Sequence, residues 1–225
     1  MIRELMSVFR KDSLMDQAYN RSFEMLHLTQ DMFNHAKGIL RESESHELDY
    51  NINDQDHEVN KYQRDVRKDV VSHLTLTGTE ELASSLVLVS IVIDIERIGD
   101  YTKNIAEIAE NYHGGKLKAG KYEEEVQKIE EAVVENFKLT IDCFKESDEE
   151  KAQVLLKNYK WVSKSSDGIL KELMRDKNID LDSASAVALA VYVRSLKRIY
   201  SHLRNVTTSV VNPFHRIGYK PKKNK

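Results

Sequence analysis

The chain has 225 residues, of which 32% are charged and only two are proline, and its formal net charge is −3. This composition lacks the clustered basic surface that nucleic acids usually require, so we expect no nucleic acid partner. A single cysteine, Cys143, excludes an intramolecular disulfide and a cysteine-built zinc site. No stretch reaches the roughly 20 apolar residues of a membrane helix, and no signal-peptide pattern opens the chain, so we expect a cytoplasmic protein.

Six segments have apolar residues at the helical period of 3.6, and no proline occurs before Pro213. The predicted helices run over about residues 12–44, 54–74, 80–112, 122–145, 147–175 and 180–211. Thr79 is predicted to cap the third helix, Gly114–Gly115 to end it, and Pro213 to stop the sixth. The predicted fold class is therefore all-α.

The two halves of the chain repeat at a constant offset of 101 residues. Arg97 aligns with Arg198 and Asn104 with Asn205, within an alignable stretch of more than 20 residues. Such a repeat indicates duplication of a three-helix unit. We expect two pseudo-symmetric three-helix bundles packed side by side, one over residues 1–116 and the other over residues 117–225.

Two pairs of oxygen-bearing side chains stand out in the first half. Glu96 and Asp100 are four residues apart in the third predicted helix, so both carboxylates leave the same face. Asp56 and Asn60 have the same spacing in the second helix, and antiparallel packing would bring the two pairs together. Facing carboxylates repel one another unless a cation lies between them. Either a divalent metal or nearby arginines in a surface salt network would supply that cation.

Residues 91–107, Ile-Val-Ile-Asp-Ile-Glu-Arg-Ile-Gly-Asp-Tyr-Thr-Lys-Asn-Ile-Ala-Glu, resemble the signature of the PhoU family of phosphate-transport regulators. The segment Asp-His-Glu-Val-Asn over 56–60 resembles that family's other acidic motif, and the length and duplicated plan are similar too. The resemblance implies a cytoplasmic, non-enzymatic regulator of phosphate uptake. Its partners would be a phosphate transporter and a sensor kinase, which would make the protein peripheral to the inner membrane.

The resemblance also implies a metal centre, because the paired acidic motifs of the PhoU family bind iron, zinc or other divalent ions. Carried over by position, the ligands are Glu96, Asp100, Asp56 and Asn60, and the ion would be iron, zinc or manganese. In the second half, Lys197 and Ser201 stand where the repeat places Glu96 and Asp100. Because a lysine ammonium repels a cation and offers no lone pair, we expect a degenerate motif without metal there, followed by the basic tail Tyr219–Lys225.

Three further residues are predicted to have structural roles. Arg97 is expected to pair with a carboxylate of a neighbouring helix, since Arg198 repeats it. Gly99 is expected to permit close approach of two helices, and Trp161 to anchor the core or the contact between bundles.

Other functions stay open on the sequence. PhoU-like domains also occur at the cytoplasmic end of sodium/phosphate cotransporters, and the amphipathic segment 1–11 would then be a linker or docking segment. A related helical family accompanies low-affinity phosphate transporters. A di-metal hydrolase is disfavoured because the second half has too few carboxylates, and Gly114–Gly115 lacks the Lys-Ser/Thr of a phosphate loop. The apolar faces of the third helix leave a homodimer open.

Overall fold

The computed structural model describes residues 13–44, 51–176 and 179–220, and every regular element within those ranges is a helix. The predicted all-α class is therefore confirmed over this part of the chain. The amphipathic segment 1–11 and the last five residues of the basic tail lie outside the described residues. The α-helices are α1 (Leu14–Glu42), α2 (Ile52–Thr77), α3 (Leu82–Asn111), α4 (Glu123–Glu146), α5 (Glu149–Asn158), α6 (Trp161–Arg175) and α7 (Ser183–Val211), and 3₁₀ turns cover Gly120–Tyr122 and Phe214–Arg216.

Side-chain caps fix the start of several helices. Ser13 and Asp16 form a reciprocal capping box at α1, in which each side chain accepts the other residue's backbone N–H at 3.1 Å. Asp148 caps α5 and Asp182 caps α7 through the N–H groups of Lys151 and Ser185.

Two predicted boundaries of α3 differ from the structure. Thr79 does not cap it, because α3 begins at Leu82 after Glu81, which makes no side-chain cap bond. At the other end, α3 stops at Asn111 before reaching Gly114–Gly115.

The predicted fifth helix is in fact two helices. The chain turns at Tyr159–Lys160 between α5 and α6, with neither glycine nor proline to mark the break. The Tyr159 hydroxyl donates a hydrogen bond to the carboxylate of Glu135 on α4. This contact with another helix stabilises the turn. The local sequence therefore contains no residue that predicts a helix break there.

Trp161, at the start of α6, is 38% exposed, so its predicted role as a core or inter-bundle anchor is wrong. The buried face of α6 consists of Val162, Ser166 and Ile169, at a spacing of four and three residues. Trp161 precedes this stripe by one position, which turns its side chain about 100° away from the core.

The helices form two groups joined by their longest members. In the first group, α1, α2 and α3 pack on one another; in the second, α4, α5 and α6 all pack on α7. The two groups meet where α3 packs along α7, and one continuous hydrophobic core runs through both. The division into domains at residue 116 stays a prediction.

The repeat is visible in the burial pattern. Nine buried positions of α3 coincide, at an offset of 101, with nine buried positions of α7. They are 88, 91, 92, 95, 98, 99, 102, 105 and 106 in α3, and 189, 192, 193, 196, 199, 200, 203, 206 and 207 in α7. The duplicated helices therefore present the same face to the core, as expected for pseudo-symmetric bundles.

Candidate metal centre between helices α2 and α3

The two acidic motifs meet where α2 packs on α3. A Cβ atom on Gly99 would lie 3.4 Å from Cγ1 of Val59, so the two helices are in contact at these residues. Val59 lies between Asp56 and Asn60, and Gly99 lies between Glu96 and Asp100. Gly99 lies in this helix contact, but a Cβ would fit there, so the approach of the two helices does not require glycine.

Asp56 is the most buried member of the site, with 8% of its surface exposed. Its Oδ2 accepts a hydrogen bond from the Asn60 side-chain amide at 3.3 Å and lies 3.6 Å from Nζ of Lys103 on α3. Its Oδ1 is buried and has no hydrogen-bond partner among the described residues. An unsatisfied buried carboxylate oxygen is costly, and a cation would relieve that cost.

Arg97 pairs with the two carboxylates of its own helix. Its Nη1 lies 2.8 Å from Oδ2 of Asp100, and its Nε lies 3.6 Å from Oε2 of Glu96. The predicted pairing of Arg97 with a neighbouring helix is therefore wrong, because its side chain, 54% exposed, points away from the helix contacts. Such an exposed pair contributes little stability and yields readily to a competing cation.

The three carboxylates affect one another electrostatically. The pKa of Glu96 is raised by partial burial first and then by the negative charges of Asp100 and Asp56, against the opposing charges of Arg97 and Arg67. The helix contact therefore concentrates negative charge that the neighbouring basic side chains only partly neutralise.

The donor set suits a hard divalent cation, since three carboxylates and an amide oxygen are ligands of that class. In the part of the chain that the structure describes, no three acidic, histidine or cysteine side chains lie close enough to hold an ion as they stand. Binding would require Arg97 and Lys103 to swing away and the carboxylates to turn inward. The unpartnered Oδ1 of Asp56 is the structural observation in favour of this fit.

The equivalent place in the second half contains an ion pair. Lys197 stands where the repeat places Glu96, and its Nζ lies 2.5 Å from Oδ1 of Asp167 on α6. The Ser201 hydroxyl donates to the carbonyl oxygen of Lys197 and thus faces its own helix. A lysine ammonium therefore supplies the positive charge between α6 and α7.

A second polar cluster, which the sequence analysis missed, joins the two halves between α3 and α7. Oδ1 of Asp94 lies 2.7 Å from Nδ1 of His202 and accepts a hydrogen bond from the Asn205 amide at 2.8 Å. One turn further along, Arg198 donates to the Tyr101 hydroxyl at 3.1 Å and lies over the Tyr101 ring. Asp94 and His202 are 108 residues apart, so no local spacing could have paired them.

The arrangement defines an all-helical protein of two packed helix groups with an acidic site in the first. The structure aligns with PhoU from Pseudomonas aeruginosa at a TM-score of 0.76 and 23% identity, covering 88% of this chain and 95% of that one. It also aligns with the phosphate transport system regulatory protein PhoU from Streptococcus pneumoniae at a TM-score of 0.73 and 16% identity, covering 88% and 93%. None of the curated proteins compared matches the chain.

The fold is thus that of the PhoU structures. The family model of the PhoU domain matches residues 23–109 of this chain. That range includes Asp56, Asn60, Glu96 and Asp100.

Proposed function

We propose that the protein is a non-enzymatic regulator of phosphate uptake. The match of residues 23–109 to the PhoU domain carries this proposal. The alignment with the phosphate transport system regulatory protein of Streptococcus pneumoniae over 88% of the chain supports it. The partners would be a phosphate transporter and its sensor kinase, contacted by a helical face of one bundle in the cytoplasm. A homodimer is compatible with this arrangement.

Deletion of the gene in its native host, followed by measurement of labelled phosphate uptake, tests the proposal. We expect uptake in phosphate-rich medium to change on deletion and to return when the chain is supplied from a plasmid. Unchanged uptake in both low and high phosphate would contradict it. If the chain instead serves a sodium/phosphate cotransporter or a low-affinity phosphate transporter, uptake would respond to deletion only while that transporter's gene is intact.

We further propose that Glu96, Asp100, Asp56 and Asn60 bind a divalent cation such as iron, zinc or manganese. The unpartnered Oδ1 of Asp56 and the mutual repulsion of the carboxylates support this proposal. A bound ion would join α2 to α3 and fix the angle between them. Ion occupancy would thereby set the shape of the face that the first helix group presents to a partner.

A further inference from the structure

Lys103 of α3 reaches across the helix contact to the acidic motif of α2. It follows Asp100 by three residues, so it belongs to the same face of α3. Its Nζ lies 3.6 Å from Oδ2 of Asp56. Gly99 lies against Val59, and three residues back along α2 correspond to four residues forward along α3, so the two helices run antiparallel. Lys103 therefore lies at the end of the site that contains Asp56.

The ion pair between Lys103 and Asp56 is loose and incomplete. At 3.6 Å the ammonium is beyond hydrogen-bond distance of Oδ2, which accepts the Asn60 amide at 3.3 Å. The other carboxylate oxygen, Oδ1, is buried without a partner among the described residues. The ammonium therefore offsets the charge of Asp56 but leaves one of its oxygens unsatisfied, which is unfavourable.

Lys103 can leave the site more readily than Asp56 can. Its side chain is 34% exposed, whereas that of Asp56 is 11% exposed and faces the helix contact. A lysine ammonium ends a flexible four-carbon stem, so it can move into solvent while the stem stays on the protein surface. A cation that arrives from solvent thus meets a fixed carboxylate and a movable positive charge.

The corresponding contact in the second half contains a lysine that is held more tightly. Lys197 of α7 donates to Oδ1 of Asp167 on α6 at 2.5 Å, which is a charge-assisted hydrogen bond, and its side chain is 19% exposed. In both halves a lysine joins the long helix to a neighbouring helix. The ion pair of the second half is hydrogen-bonded, whereas that of the first half is not, so the first is the exchangeable one.

We propose that Lys103 is a built-in competitor for the cation site. In the metal-free protein its ammonium joins α3 to Asp56, and it gives way to a divalent cation, which has twice the charge and binds carboxylate oxygens directly. Lys103 thereby sets the cation concentration at which the α2–α3 contact changes state, while the second half keeps its own ion pair. This inference rests on the cation site proposed above.

Calorimetric titration of the full chain with manganese and with zinc tests the competition. We expect Lys103→Gln to bind the ion roughly fivefold more tightly than the wild type, because no ammonium has to be displaced. Lys103→Arg keeps the charge and should bind no more tightly than the wild type. The matched control is Lys128→Gln, which removes the same charge from an exposed ion pair with Glu124 on α4 and should change the affinity by less than about twofold.

A double-mutant cycle tests the ion pair itself in metal-free protein, with a chelator present. We expect Lys103→Gln and Asp56→Asn to change the melting temperature non-additively, because both substitutions remove the same interaction. The double variant should therefore melt at a higher temperature than the sum of the two single changes predicts. Additive changes would overturn the role of Lys103 as the resident cation.

The calorimetric outcomes separate the role of Lys103 from the existence of the cation site. Equal affinities of the wild type and Lys103→Gln would overturn the proposal and leave the site in place. Weaker binding by Lys103→Gln would also overturn it, since the lysine would then support the site. Binding by Lys103→Gln alone would support it. Absence of binding in every variant would overturn the cation site and the displacement together, whatever the metal-free cycle shows for the ion pair.

Discussion

Asp56 presents the most informative single atom of the α2–α3 contact, a buried carboxylate oxygen without a partner among the described residues. Spacing alone left both pairs of the site ambiguous, because acidic residues four apart are common on helices. The structure also places Lys103 at this site, where it contacts Asp56, and the sequence did not indicate that contact. The available signal was its position three residues after Asp100 on the same helix face.

Glu96 makes a pH-dependent contribution whose sign follows from its raised pKa. Ionisation costs more in the folded protein than in the unfolded chain, so the ionised residue lowers the free energy of unfolding at neutral pH. In metal-free protein we expect Glu96→Gln to raise that free energy at pH 7 by up to about 1 kcal/mol, since solvent screens the site.

The increase in the free energy of unfolding from Glu96→Gln should vanish below about pH 4, where the Glu96 carboxyl is protonated in both the folded and the unfolded protein. Urea unfolding at the two pH values measures it. Glu107→Gln, an exposed position on the same helix, is the control and should show no gain at either pH. If Glu96→Gln instead lowers the free energy of unfolding at pH 7 without metal, the attraction of Arg97 and Arg67 for Glu96 outweighs its burial and its repulsion by the neighbouring carboxylates.

At the scale of elements, the helix pattern was predictable because apolar periodicity reports buried faces directly. The six predicted segments overlap all seven α-helices, and the offset of 101 residues matches the buried positions of α3 and α7. The turn at Tyr159 was not predictable, since a contact with Glu135 on another helix fixes it. His202 is likewise buried against Asp94 of α3, and a separation of 108 residues leaves no local pattern that could pair them.

Gly99 lies in the contact between α2 and α3, and its substitution tests how much space that contact has. An alanine Cβ would lie 3.4 Å from Val59, an acceptable contact, so Gly99→Ala should be tolerated. Gly99→Leu should lower the free energy of unfolding by about 1–3 kcal/mol, because extra methylenes overpack the contact. Urea unfolding measures both variants.

Gly38 of α1 is the matched control for Gly99, since a Cβ at that position would meet nothing within 4 Å. Gly38→Leu should leave stability unchanged or raise it by up to about 1 kcal/mol through helix propensity. Equal effects of leucine at the two positions would contradict the close approach of α2 and α3 at Gly99.

At the scale of the whole molecule, one buried polar network ties the halves together. Arg41 at the end of α1 donates through Nε to Glu130 of α4 at 2.8 Å, and also to Glu123 and to the carbonyl oxygen of Leu117. The Tyr192 hydroxyl of α7 donates to the same Glu130 oxygen at 2.6 Å. Burial and the charge of Glu130 raise the pKa of Tyr192 well above its usual value, so it remains a donor throughout the physiological range.

Removal of one member should therefore destabilise both halves at once. We expect Arg41→Met to lower the free energy of unfolding by about 3–5 kcal/mol, because Glu130 would lose its buried countercharge. Tyr192→Phe should lower the free energy of unfolding by about 1.5–3 kcal/mol, because a hydrogen bond to a charged group is lost. Chemical unfolding followed by far-UV circular dichroism measures both.

The control for this network is Lys128→Met, which removes an exposed ion pair with Glu124 and should have no measurable effect. We expect Arg41→Met to unfold in a single transition at a lower urea midpoint, because both halves lose the shared network. A single transition at the wild-type midpoint would show that it contributes nothing.

Thermal melting with and without added zinc, iron or manganese tests most directly whether the contact between α2 and α3 is a cation site. We expect the wild-type melting temperature to rise with metal, Glu96→Ala with Asp100→Ala to abolish the rise, and Asp167→Ala in the second half to preserve it. A wild-type protein whose melting does not respond to any of the three metals would contradict it, as would a rise that persists in the double variant.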